Sequence, residues 1–244
     1  MQKKRNPKLI SEALAPTTNE SFHDTLPKTK PPPDSLFWKL VAAPESLQIS
    51  NDAYATDFVQ GIRKGTLDPN LYGGFNISDA FYCFSGADDY EDAAKRAAHP
   101  ELKAYLQEKA DSYKEYNNSV KTLWRITGPE AIIPTKEAKE YSEWETNIAK
   151  NEEPFYTLIA MLPCTHLWAW LAQKLTDDPV SGLDPVKNVY AFWIKDNLSF
   201  GGSHRIGNFI DTFMKEHPGE IDEAKAMRIY TEGMKHEQAN FASP

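Results

Sequence analysis

Apolar side chains recur at intervals of three and four residues along most of the chain, with polar residues on the intervening faces. That period is the mark of amphipathic helix. The pattern predicts a short helical segment, LFWKLVAA, capped by Asp34 and Ser35. A second helix covers residues 50–64, with Tyr54, Phe58 and Ile62 four apart, and stops at Gly65 or the Asp68-Pro69 turn. Residues 99–126 read as a long charged helix with a narrow apolar stripe through Leu102, Leu106, Tyr113, Val120, Leu123 and Trp124. Gly128-Pro129 and Pro134 make the next turn, and 135–150 is helical again, with Tyr141 and Trp144 three apart. Residues 186–200 place Tyr190, Trp193, Ile194 and Asn197 on one face; Gly201-Gly202 interrupts, and 203–216 resumes. A last helix spans 220–241, after the turn at His217-Pro218-Gly219. No stretch alternates with period two, so the fold class is all-α.

Two stretches carry more than periodicity. Residues 153–175 are apolar nearly all round, with Leu158, Ile159, Leu162, Leu167, Leu171 and Leu175 at near-helical spacing, so this helix is buried. Asn151 offers an N-cap, and Glu152, Glu153 and Pro154 suit a first turn. Pro163 removes a backbone hydrogen bond in mid-helix, and Cys164 follows it directly. A kink beside a thiol suggests a pocket with a nucleophile on its wall; a packed cysteine next to a tolerated proline explains the pattern equally well. In residues 71–96 a lone carboxylate, Asp79, sits among Phe75, Ile77, Phe81, Tyr82, Cys83 and Phe84. It must find a donor or take up a proton. It is either a structural aspartate or a polar hook for a ligand, and Tyr82, three residues on, shares its face.

Composition sets the boundaries. At 244 residues, 41% of them hydrophobic, the chain can bury a sizeable core in one domain. Residues 1–34 are proline-rich and polar and are expected to form a flexible tail, leaving 35–244 as the helical domain. A formal net charge of -8 argues against a nucleic-acid partner. Only Met1 to Lys8 is locally basic, with no apolar run behind it, so no secretory signal is expected; nor is an 18-residue apolar span, and hence no membrane partner. Two cysteines, Cys83 and Cys164, make no disulfide framework and point to a reducing, cytoplasmic setting.

In order and wording the helices resemble the TenA family, the thiaminase II group of the haem-oxygenase-like fold. FVQGIRKGTL, the Asp-x-x-Tyr of FNISDAFYCF, the Leu-Pro-Cys of IAMLPCTHLWAW, the Trp-Ile pair of VYAFWIKDN, and the glutamate-then-aromatic of YTEGMKHEQANF carry the resemblance, over roughly residues 36–241. It implies a haem-oxygenase-like helical bundle with a central pocket for an aminopyrimidine or similar flat heteroaromatic, no cofactor and no metal, and a homodimer or homotetramer. It also implies the roles. Cys164 would be the nucleophile, Glu237 the general acid and Asp79 the ring-orienting carboxylate. Tyr82 and Tyr141 would be pocket tyrosines. Trp168 and Asn197 stand where the family carries tyrosines, so each removes a phenol from the pocket.

Three other readings remain. One is a member of the same fold that binds or oxidises another heteroaromatic. Another is a metal oxidase drawing on His166, His204, Asp211, Glu232, His236 and Glu237, although His236 and Glu237 are adjacent and point about 100° apart on a helix. The third is a structural or storage protein.

Overall fold

The computed structural model describes residues 29–244. Among these residues the elements are α1 (Leu36–Val41), α2 (Pro44–Tyr54), α3 (Asp57–Lys64), α4 (Pro69–Arg96), α5 (Pro100–Trp124), a 3-10 turn (Pro129–Ala131), α6 (Lys136–Asn151), α7 (Phe155–Asp177), α8 (Ala191–Asp196), α9 (Gly201–Glu216) and α10 (Glu223–Ala242), with no strand. The class is all-α, as the hydrophobic period requires.

Local chemistry explains where the helices begin. Thr56 accepts a hydrogen bond from the Val59 N–H and starts α3, so the helix expected over 50–64 is two helices broken at Ala55 and Thr56. Gly65 ends α3 in the left-handed conformation at φ 71°. Asp68 caps α4 through the Asn70 N–H at 2.8 Å, with Pro69 in the first turn, so Asp68-Pro69 opens the next helix as well as closing the turn. Thr135 and Asp222 cap α6 and α10. Asn151 differs from expectation: it ends α6 and does not cap α7, because its side chain bonds Asn147 and the ladder runs on to Glu152 N–H. Helix α8 is shorter than expected, and Gly201-Gly202 forms the first turn of α9. Ser35 precedes α1 without a side-chain cap bond.

Helix α7 is the axis. Leu158, Ile159, Leu162, Leu167, Leu171 and Leu175 are all fully buried. The helix runs through Pro163 to Asp177 and meets α4, α6, α8, α9 and α10. It is also long and apolar enough to cross a membrane, which the hydrophobic pattern alone did not lead one to expect; 78% of that stretch is buried inside the bundle, as a core helix requires. Helix α4 packs along α5 and α6, and α10 lies against α7, α2 and α6. Gly233 makes the α7–α10 contact close: a Cβ there would stand 2.8 Å from Pro163 Cγ and 3.3 Å from the Ala160 carbonyl oxygen. Residues 29–34, assigned above to the tail, touch the bundle. Pro31 is buried and accepts the Trp38 indole N–H at 2.9 Å, and Asn208 donates to the Thr29 carbonyl at 2.8 Å. Residues 1–28 lie outside the described set.

Candidate active site

The close α7–α10 contact brings Glu237, one turn beyond Gly233, against Cys164, the residue after Pro163. Glu237 is 1% exposed. Burial is the main reason its carboxyl is pushed up to about 8, and the charge of Asp79 adds to it. The Tyr141 hydroxyl, Cys164 thiol and Trp168 indole N–H stand near enough to pull that value back down. None meets strict hydrogen-bond geometry: Glu237 Oε2, the Tyr141 hydroxyl and Trp168 Nε1 are buried without a partner. Such a ring of unmet donors and acceptors marks a place for a polar ligand.

Asp79, on α4, is raised to about 7 by burial, with the side chain of Asn240 acting in the opposite sense. Both carboxyls are thus raised toward neutral pH, each mainly by burial. Burial also pushes up the Cys164 thiol, and the charges of Glu237 and Asp79 push it further, so it rests as S–H. Both Asp79 and Cys164 keep accessible surface, yet desolvation is the largest influence on each. Each is a partly accessible polar group in largely apolar surroundings. Tyr113 of α5, Trp144 of α6 and Cys164 pack against the buried cluster of Tyr82, Cys83 and Tyr141, while Tyr116 is 44% exposed. A cleft of about 290 Å³ beside Phe58 and Phe241 and one of about 270 Å³ beside Trp38 are lined by neither Cys164 nor Glu237.

The walls are aromatic. Tyr82 and Tyr141 are buried, with ring centroids 4.7 Å apart. Trp168 lies 5.9 Å from Phe75, 5.5 Å from Trp193 and 5.3 Å from Phe241. The fold thus gathers Asp79, Tyr82, Tyr141, Cys164, Trp168 and Glu237 from four helices. Asn197 stands apart: it ends α8 and donates to the Trp193 carbonyl at 2.8 Å, which commits its amide to its own helix.

Sequence reading missed Glu145 on α6. It is 1% exposed and accepts the Tyr82 hydroxyl at 2.9 Å; burial and the nearby Asp89 push its carboxyl well up. Its place four residues after Tyr141, hence on the same face, was the available signal. The residues considered for a metal oxidase are dispersed. His166 and His204 pack against Phe37 and Phe200, Asp211 pairs with Lys215, Glu232 with Lys235, and His236 stacks on Tyr141.

No protein-family model and no curated protein matches the chain significantly. Solved structures do. A TenA homologue from P. horikoshii OT3 superposes with TM-score 0.68 at 24% identity, covering 85% of this chain and 96% of that one. A TenA family transcription regulator from Silicibacter sp. TM1040 gives 0.66 at 12% identity, covering 84% and 92%. A putative TenA-like thiaminase from Sulfolobus solfataricus P2 gives 0.50 at 15% identity, covering 80% and 89%. The chain has the fold of the TenA structures.

Proposed function

We propose that this protein is a thiaminase II-type hydrolase that releases a hydroxymethylpyrimidine from an aminopyrimidine carrying a CH2–leaving group. The observation that carries the reading is the partly buried Cys164 beside the buried Glu237, with Asp79 near, among aromatic side chains. The fold likeness agrees with it, and so does the name of the Sulfolobus structure, a TenA-like thiaminase. The transcription-regulator name of another neighbour has no counterpart in a chain of net charge -8.

The chemistry follows from the protonation states. Glu237 holds a proton at neutral pH and passes it to a ring nitrogen, which makes the adjacent ring carbon electrophilic. The resulting carboxylate then takes the Cys164 proton as sulfur forms a bond to that carbon. The displaced ring electron pair moves toward the exocyclic carbon and expels the leaving group. Water adds to the exocyclic carbon as hydroxyl and gives its proton to the leaving group, and the ring N–H proton passes to sulfur as the carbon–sulfur bond breaks, restoring ring and thiol with Glu237 already protonated. Asp79 accepts from the exocyclic amine and sets the ring, while Tyr82, Tyr141 and Trp168 stack around it. Free Cys83 and Cys164 suit a reducing, cytoplasmic setting, and a homodimer or homotetramer, measured by light scattering, belongs to the same proposal.

The test is to mix the purified protein with thiamin or an aminomethyl-aminopyrimidine and follow hydroxymethylpyrimidine by chromatography. Cys164→Ala is expected to abolish release with the far-UV helix signal unchanged; turnover by that variant removes the nucleophile assignment. Trp168, in place of a phenol, favours one other reading, a protein that binds a different heteroaromatic without hydrolysis. A co-purifying ring compound found by mass spectrometry, together with no turnover, would select it.

A further inference from the structure

Away from the pocket, the junction of α4 and α5 meets the end of α9. His99 caps α5, Glu101 lies in its first turn, His217 caps the C-terminus of α9, and Glu220 sits in the following turn. The four side chains interleave. His99 Nε2 lies 2.9 Å and Nδ1 3.7 Å from Glu220 and Glu101 respectively, while His217 Nε2 lies 2.6 Å from Glu101 and Nδ1 3.8 Å from Glu220. The imidazoles are 4.1 Å apart, centre to centre. Both rest on Phe213, at 5.3 Å and 4.4 Å, which fixes the rings from below. Among the described residues neither glutamate has a lysine or arginine partner.

We propose that His99, Glu101, His217 and Glu220 form a site for a divalent transition ion of the zinc type, tying the start of α5 to the α9–α10 turn. A neutral imidazole has one N–H to give. Two of the four approaches, at 2.9 and 2.6 Å, are within hydrogen-bond reach, and the Nδ1 atoms, at 3.7 and 3.8 Å from the second carboxylate, are not. One dication accepts a lone pair from each ring and balances both carboxylates. One ligand atom from each of His99, Glu101 and His217 already lies within 4.8 Å of the other two. Zinc holds nitrogen and oxygen ligands at about 2.0–2.2 Å, which puts neighbouring ligands about 3.3 Å apart. The short pairs must open and the longest gap must close, an adjustment that the half-buried side chains, 20% to 50% exposed, can make by rotation. Mixed imidazole–carboxylate donors suit zinc, cobalt or nickel better than magnesium or calcium.

The test uses the full chain, stripped with a chelator, titrated with zinc chloride, desalted and assayed for metal by mass spectrometry, with Co(II) spectra as a second readout. One zinc per chain is expected, with visible Co(II) bands of four-coordinate intensity. The double variant His99→Ala/His217→Ala should lose both while keeping its far-UV spectrum. Glu101→Gln should weaken binding at least tenfold, and it serves where the double variant folds poorly. No retained zinc, or zinc retained undiminished by the variants and lost instead in Cys164→Ala, overturns the proposal.

Discussion

Glu237 shows how one buried carboxyl makes stability depend on pH. Folding raises its pKa from the ordinary carboxylate range to about 8, so the folded state favours the protonated form. The stabilisation is complete below the unfolded value and is lost as pH rises through about 8, each tenfold gain in proton affinity on folding being worth about 1.4 kcal/mol. Glu237→Gln keeps the size and removes the titration. Its stability relative to the parent should therefore climb between pH 5 and pH 8 in thermal unfolding; parallel curves would show that the carboxyl is not held protonated. If Glu237 is the acid, kcat/KM of the parent should fall as pH passes about 8. Tyr82 offers a separate check. Its hydroxyl is the donor to Glu145 in a buried setting, so Tyr82→Phe strands that acid and should cost about 1–3 kcal/mol in denaturant unfolding. A loss under half a kilocalorie would mean the bond is replaced by water from the pocket.

At the scale of elements, the site depends on how closely α10 approaches α7. Gly233 and Pro163 meet where any side chain on α10 would push the helices apart, and both Cys164 and Glu237 are one turn or less from that point. Gly233→Ala is expected to cost about 1–3 kcal/mol as overpacking. Its effect on turnover should be larger than its effect on stability, because Glu237 is carried away from Cys164. Adding Pro163→Ala removes the atom at 2.8 Å and should restore part of the activity; a double variant no better than the single one would place the damage elsewhere. Periodicity made these helices visible but not their ends. Thr56 reads as an ordinary polar residue until its hydroxyl is seen on the Val59 N–H, and Asn151 suits the end of one helix as well as the start of the next. Caps are decided by backbone geometry, which spacing does not encode.

Across the whole molecule, the candidate site draws on α4, α5, α6, α7 and α10, and that explains which of its parts could be read in advance. Asp79 and Cys164 stood out because each breaks an apolar run. Glu145 did not, because it lies in a helix dense with charge, and only the packing of α6 against α4 buries it. Tyr113 read only as part of the apolar stripe of its helix for the same reason. A pocket assembled from five helices should also couple ligand binding to global stability, since unfolding any wall destroys it. Binding to the folded state alone adds RT ln(1 + [L]/Kd), about 2.7 kcal/mol at a hundredfold excess over Kd. For a domain of this size that corresponds to a rise of roughly 5–10 °C in Tm. The Cys164→Ala variant, which should bind without turning over, is the species to measure. With an aminopyrimidine its Tm should climb with the logarithm of ligand concentration, and adding Asp79→Asn or Trp168→Ala should shrink the rise. A Tm that stays flat to millimolar aminopyrimidine, yet climbs with a different flat heteroaromatic, would keep the pocket and replace the substrate.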